Sequence, residues 1–383
     1  MTLGSFVVRN AFRNKRRSLL TMVSISFSLL LLTLMISIWH SFYADQAAPE
    51  EDRRLIIRDR VSLAFLLPAY YREKIRGVPG ISAVAPMTWF DGRYIDSRPE
   101  HSFARVATDP DEYLKVASDK IVPPDQLKAW QQDRAGALVD VSVADKYGWK
   151  LGDRIHIQGT IFPVDLDLTV RAISHHDPPQ NALYFNAKYL EEAVPWFKGQ
   201  AGWYEAQVDS ADHVASASQQ IDDMFRNSPL PTKSESQRAF QIGYISSLGN
   251  VKAFILGICG AVVFAIMLVS ANTMAMSVRS RTREVAVLKT LGFTRQRVLS
   301  IFVGESVALA IAGGVLGIAV AIPLIAVLTH KFIGLGIPLR MNVTVPTAAL
   351  SLSVALLLGI VSGFLPAYKA SYMNIVDALR HIG

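Results

Sequence analysis

Four long runs without a charged side chain constrain this chain more than any other feature: Leu19–Trp39 (21 residues), Ala253–Val278 (26), Ser306–Thr329 (24) and Met341–Tyr368 (28). A helix needs about 20 apolar residues to cross the hydrocarbon of a bilayer, so each run is long enough to span it. The third extends N-terminally through Glu305 to about Val298, and the last needs tilt or end residues outside the core. The first run could instead be a cleaved leader, because Arg13–Arg17 precedes it and Ala44 and Ala47 follow. It exceeds the roughly 7–15 apolar residues of a leader. Trp39, Phe42 and Tyr43 also form an aromatic belt at its outer end. A retained helix is therefore expected.

Charge sets the orientation. The chain of 383 residues carries +7 overall, but unevenly. Residues 44–247 hold 29 acidic and 23 basic side chains, and the remainder holds 3 and 16. The excess of bases thus flanks the apolar runs, where Lys and Arg mark cytoplasmic segments, and a nucleic-acid partner is not expected. Arg9, Arg13, Lys15, Arg16 and Arg17 place the N-terminus inside, and six bases against Glu284 do the same for 279–297. The expected organisation is a cytoplasmic segment 1–17, a span within 18–43, an extracytoplasmic domain 44–247 and a span 251–278. A cytoplasmic segment 279–297, spans 298–329 and 341–368, and a cytoplasmic tail 369–383 follow. Leu3, Phe6, Val7 and Ala11 fall at helical spacing, as in a helix lying on the lipid surface. A frayed basic tail explains them equally well.

Within 44–247, strands are expected at 55–59, 81–86, 103–108, 154–158, 166–173 and 204–208, and helices at 69–76, 140–147 and 212–225. His156 and its neighbours alternate as a half-buried strand, and Val214, Ala217, Ile221, Met224 and Phe225 share one helix face. This order fits an α+β domain with a split βαβ, ferredoxin-like layer and an inserted lobe around 88–200. The fold class is accordingly membrane α-helical, with four transmembrane helices and this large extracytoplasmic domain.

Motifs for catalysis are missing from the sequence. It contains no Gly-Lys dipeptide, hence no P-loop, and no HExxH or GxSxG. No cofactor is expected, and an ATPase, if one drives the protein, belongs to another chain. The single Cys259 lies in an apolar run and excludes a disulfide framework. His175, His176 and Asp177, with Asp165 and Asp167 nearby, could be read as a metal site. Pro178-Pro179 argues instead for a loop with the two histidines pointing apart.

The segment between the second and third spans has the best-defined physics. Arg283–Leu291 contains good helix formers, and Val285, Ala286, Val287, Leu288 and Leu291 make a broad apolar side. Gly292 suits a left-handed cap and Thr294 can N-cap the helix that follows. The result is a stiff elbow, with Arg281 read as a charge on its rim. Glu305 is the one acid close to a span, a functional-site hypothesis by default, able to pair with Arg or a helix end. Asn272 could bond between helices. Gly313 and Gly317, with Gly314 beside them, and Gly359 and Gly363 form two GxxxG patterns that let helices approach, within or between subunits.

Arg283-Glu284-Val285-Ala286-Val287-Leu288-Lys289-Thr290-Leu291-Gly292, then Glu305 and Gly313–Gly317, resembles the signature of the FtsX-like permease domain. Leu365–Ala370 and Ile375–Arg380 resemble that domain's end, and Arg9–Thr21 resembles the start of MacB- and LolC-type permeases. Val78–Pro86 and Ala144–Asp153 are similar to the MacB-type periplasmic core. The resemblance spans nearly the whole chain. It implies a permease of an ABC system in the inner membrane, paired with a second permease and a cytoplasmic ATPase. ATP binding would move the elbow and the external domain would respond. A periplasmic adaptor or outer-membrane partner could join. The alternative is an FtsX-like regulator of a cell-wall hydrolase, though the external insert here is larger than FtsX-type domains.

Overall fold

The computed structural model describes residues 9, 12, 13, 15–43, 52–98, 101–176, 180–247, 250–334 and 341–372. In chain order, the first apolar run forms α1 (Lys15–Tyr43). The sheet domain follows with β1 (Arg54–Asp59), β2 (Leu67–Pro68), α2 (Tyr71–Arg76), β3 (Ile81–Trp89), β4 (Gly92–Arg93), β5 (Ala104–Thr108), α3 (Pro110–Val116), α4 (Pro124–Gln132), β6 (Gly136–Asp140) and α5 (Val141–Tyr147). It continues with β7 (Arg154–Gly159), β8 (Leu166–Ser174), β9 (Ala182–Asn186), α6 (Ala187–Ala193), β10 (Gln200–Ala201), β11 (Trp203–Val208), α7 (Val214–Phe225), β12 (Thr232–Ser236) and α8 (Gln237–Ser247). The remaining helices are α9 (Val251–Ser280), α10 (Thr282–Thr290), α11 (Arg295–Gly334) and α12 (Val345–Tyr372). The expected amphipathic positions Leu3, Phe6, Val7 and Ala11 lie outside the described residues, as do Asp177 and the tail from 373.

The chain divides into two compact units, one of the long helices and one built on 45–249. In the sheet unit, ten strands run in the order β12-β1-β11-β3-β5-β9-β6-β8-β7-β4. The first four are all antiparallel neighbours and form the split βαβ layer, with α2 and α7 as its crossovers. Leu55, Ile57, Val84, Tyr204, Ala206 and Val208 face Tyr71, Ile75, Ala217, Ile221 and Phe225 across that core. The chain between β3 and β11 is the inserted lobe. It joins the layer by β5 on β3 and has its own core around Phe90, Phe103, Val139, Leu168 and Phe185.

Short polar side chains stop three strands and start three helices. Asp109 accepts the amide of Asp111, Asp140 that of Ser142 and Asn186 that of Lys188, so β5, β6 and β9 each turn directly into a capped helix. Gly148 takes φ 68° just past α5, a conformation that suits glycine. The fourth long helix begins at Val345 rather than at Met341, because Thr344 Oγ1 accepts the amide of Thr347 and Pro346 occupies the first turn.

Four helices of the first unit contain stretches long and apolar enough to cross a membrane: Ser18–Ser41, Lys252–Ser280, Arg295–Thr329 and Val345–Tyr372. Three of them, α1, α9 and α12, share a cluster of Ile25, Leu29, Leu32, Ile266, Ala355 and Leu358. Hydroxyls bridge them as well. Thr33 Oγ1 donates to Ser351 Oγ at 3.1 Å, and Ser270 and Ser362 share a bond of 2.7 Å.

The candidate coupling site

The elbow is a helix of nine residues, α10, held between α9 and α11 by local chemistry. At its end Gly292 adopts φ 87°, the amide of Phe293 donates to Leu288 O and that of Gly292 to Lys289 O, each at 3.1 Å. These two bonds are a Schellman motif, and they satisfy carbonyls that the helix end would leave orphaned. Thr294 Oγ1 then accepts the amide of Arg297 at 3.4 Å and opens α11.

Two sides of α10 have opposite surroundings. Val285 and Ala286 are buried, and Val285 packs with Val278, Val298, Phe302, Ala367 and Ala370. Val287 and Leu291 are 46% and 71% exposed. Arg283 and Glu284 are exposed, while Leu288 and Lys289 are half-buried. Burial, and then the charge of Arg295, push the Lys289 ammonium below its ordinary range. A shallow cleft opens between Arg281, Glu284 and Leu288 on one side and Val298, Ile301 and Phe302 on the other. Arg13 Nη2 meets Glu284 Oε1 at 2.9 Å, tying the start of the chain to the exposed side of the elbow.

Arg281 is not a rim charge. Its Nη1 lies 2.9 Å from Glu305 Oε2, and the two side chains are 8% and 1% exposed. Glu305 therefore pairs with a base that precedes the elbow, while sitting about three turns inside α11. A buried pair of this kind fixes geometry more than it stabilises, but removing one partner leaves an uncompensated charge. Nothing in the spacing of Arg281 and Glu305 singled out this contact, since the two are 24 residues apart with a helix between them.

The glycine patterns are spent within the chain. A Cβ on Gly317 would lie 2.6 Å from Ser26 O, and one on Gly313 would lie 2.8 Å from Ile25 Cγ2, so this face of α11 touches α1. A Cβ on Gly314 would lie 3.3 Å from the side chains of Leu29 and Leu352 and 3.4 Å from Ala355, a tight fit that flexible side-chain ends could relieve. On α12, Gly359 faces Val307 and Ala310 at 3.0 Å and Gly363 faces Ser306 at 2.7 Å. Close backbone approach at small residues is how helices associate in lipid. Asn272 is exposed on α9 and does not bridge helices.

Among the described residues, no group of three or more His, Cys, Asp and Glu side chains could hold a metal ion. His176 Nε2 lies 2.6 Å from Asp119 Oδ2, whereas Asp165 and Asp167 face His156. His175 pairs its backbone with Ile121.

Helices able to cross a membrane, an elbow between two of them and a sheet domain inserted after the first define a membrane protein of the permease class. Comparison with known proteins carries this further. The family model described as "MacB-like periplasmic core domain" matches residues 18–224, more than half of the chain, and "FtsX-like permease C-terminal" matches 253–375. The chain belongs to the MacB/FtsX family of ABC transporter permeases. It is 31% identical to the uncharacterized ABC transporter permease YknZ of Bacillus subtilis over 46% of this chain and 44% of the relative. It is 33% identical to the macrolide export ATP-binding/permease protein MacB of Rhodopirellula baltica, over 46% of this chain and 26% of that one. These alignments thus span less than half the length of either relative. The uncharacterized ABC transporter permease MJ1507 of Methanocaldococcus jannaschii is 22% identical over 98% of this chain and 97% of its own length. Among solved structures, the extracellular domain of YknZ superposes with a TM-score of 0.34 at 14% identity, covering 48% of this chain and 99% of that one. The periplasmic region of MacB from Actinobacillus actinomycetemcomitans gives 0.37 at 9%, covering 52% and 93%.

Proposed function

We propose that the chain is the membrane subunit of an ABC-type system in which a separate cytoplasmic ATPase moves the sheet domain through the elbow. The sheet domain lies outside the cell membrane and both termini lie inside, as the charge asymmetry favours. The task is export or extraction of a substrate met in the outer compartment or outer leaflet. A second permease, identical or different, completes the assembly.

The observation that carries this reading is the division of α10. Its buried side is joined to α11 and α12 by Val285, and the Arg281–Glu305 pair anchors the base of the elbow to α11. Its other side leaves Val287 and Leu291 exposed beside Arg283 and Lys289. A partner that seats the exposed side would grip a body that cannot slide on the spans behind it. Apolar anchors carry affinity in such a helix-in-groove contact and rim charges add little. The tight glycine contacts between α1, α11 and α12 also favour transmission of movement over conduction through the helices of one chain.

The test is co-purification with the ATPase. Leu291→Asp is expected to reduce the bound ATPase at least tenfold while the chain inserts and melts normally. Normal complex formation and turnover in Leu291→Asp and Val287→Asp together would reduce the segment to a loop that only orients the chain.

A further inference from the structure

One carboxylate in the sheet domain collects residues from strands that do not pair with each other directly. Asp119, in the turn between α3 and α4, receives Arg54 Nη2 on Oδ1 at 2.5 Å and His176 Nε2 on Oδ2 at 2.6 Å. Arg54 opens β1 and His176 stands just past β8, and these strands lie six places apart in the sheet. Arg54 has further bonds. Its Nε donates to Val116 O at the end of α3, at 3.3 Å, and Nη1 donates to Gln237 Oε1 at 3.0 Å. Gln237 opens α8, the last element before the second span. One guanidinium therefore holds the strand that follows the first span, the helix that precedes the second, and the inserted lobe.

The tie is buried and charged. Arg54 is 3% exposed, and the side chains of Asp119 and His176 are 7% and 3% exposed. Burial alone would push the Asp119 carboxyl up, but the hydrogen bond with His176 and the charge of Arg54 outweigh it and hold the group well below the usual carboxylate range. Burial likewise lowers Arg54, while Glu205 and Asp119 raise it further, so it remains a cation. A buried pair is a poor way to add stability, since apolar side chains of the same volume often hold a fold as well. What it adds is direction: a planar guanidinium with three bonded nitrogens permits one orientation of its partners. Among the described residues, the other ion pairs between layer and lobe, Arg72 with Asp109 and Arg76 with Glu112, are part-exposed and correspondingly weak.

We infer that Arg54, Asp119 and His176 form the joint that makes the inserted lobe follow the split βαβ layer when the layer is driven from the membrane. Arg54 is here a positioning residue, and the inference rests on the coupling reading above. Besides the tie, the lobe is attached by the pairing of β3 with β5, by the apolar cluster that Ala83, Ala85 and Met87 of β3 share with Val106, Tyr113, Val116 and Trp130, and by part-exposed ion pairs, and the buried charges add a fixed orientation to these contacts.

Distances within the full chain test this. In a Cys259-free background, spin labels are placed at Val345 on α12, at Gln220 on α7 of the layer and at Lys188 on α6 of the lobe. The chain is reconstituted in lipid with its ATPase. In the parent, ATP is expected to shift the Val345–Gln220 and Val345–Lys188 distances together. In Arg54→Met/Asp119→Leu, which removes both charges at similar volume, the first shift persists and the second is lost or broadened. His176→Phe is expected to do the same to a lesser degree, and serves if the double variant does not fold. A Val345–Lys188 shift retained in folded variants overturns the joint, leaving the coupling reading intact. No Val345–Gln220 shift in the parent would overturn the coupling reading itself.

Discussion

The two units are packed by opposite means. The core of the sheet domain is large side chains, with Trp130, Tyr71, Tyr113, Tyr204, Phe90, Phe185, Phe197 and Phe225 all fully buried. Tyr71 stacks on Phe225 with ring centroids 3.8 Å apart. At the closest contacts of the long helices the side chains nearly vanish: Gly313, Gly317, Gly359 and Gly363 admit a neighbouring helix to the point where an added Cβ collides. The difference follows from the solvent. In water, apolar area removed from solvent is the driving force, at about 25 cal/mol per Å², and aromatic rings supply the most of it per residue. In lipid the surroundings are as apolar as the side chains, so helices gain from close backbone contact and interhelical hydrogen bonds. The same substitution should therefore have opposite consequences in the two units.

The largest effect expected is that of Gly317→Leu. Its first carbon would meet the backbone of Ser26 and Leu30, which cannot rotate away as a side chain does. Monodisperse protein in detergent should fall severalfold, whereas Gly257→Leu and Gly260→Leu, with nothing within 4 Å, should leave the yield unchanged. Equal yields for all three would show that the α1–α11 contact is not tight. In the sheet domain the sensitive change is the reverse, from large to small. Trp130→Ala should cost about 3–5 kcal/mol, read as a fall in the denaturation midpoint of that unit in the full chain.

Between these stands the buried Arg281–Glu305 ion pair of the helical unit. Glu305→Gln removes the counter-charge 2.9 Å from the buried Arg281 and should cost about 3–5 kcal/mol, while the double variant Arg281→Met/Glu305→Leu should recover most of the thermal stability. If the double variant is also stable but turns over ATP without moving the sheet domain, the pair matters for transmission. A smaller effect is expected from acid on the sheet domain. Asp119 is held below its ordinary value, so its contribution to stability is full above the usual carboxylate pKa and is lost as pH falls through that value toward its own. Asp119→Asn should therefore flatten the acid limb of a stability–pH curve without changing the slope above neutrality. An unchanged acid limb would mean that Asp119 is not the ionised partner of Arg54.

What the sequence disclosed differs between the units for the same physical reason. Uninterrupted apolar runs and flanking bases announce spans one at a time, and Gly292 announces the end of the elbow locally. The glycine spacing announced a contact but not its partner, because a helix face is periodic whether it meets the same chain or another. In the sheet domain, β6 and β9 were not expected. Gly136–Asp140 and Ala182–Asn186 are buried throughout and therefore lack the alternation of a half-buried strand. The edge strand β12, Thr-Lys-Ser-Glu-Ser, is too polar to read as a strand at all, although Thr232 and Ser234 turn inward to Asp222. Arg281 looked like one more flanking base. Only the fold shows that it and Arg54, two arginines of unremarkable context, are each buried against a carboxylate far along the chain.

The measurement that bears most directly on the coupling role of α10 is photo-crosslinking in membranes that contain the chain and its ATPase. A photoreactive residue replaces Leu291, exposed at the C-cap of α10, and a control replaces Val315, exposed on α11 at 52%. An adduct with the ATPase from position 291, altered by ATP, and none from position 315 is the expected result. Lipid adducts alone from both positions, with ATP hydrolysis intact, would contradict the coupling role.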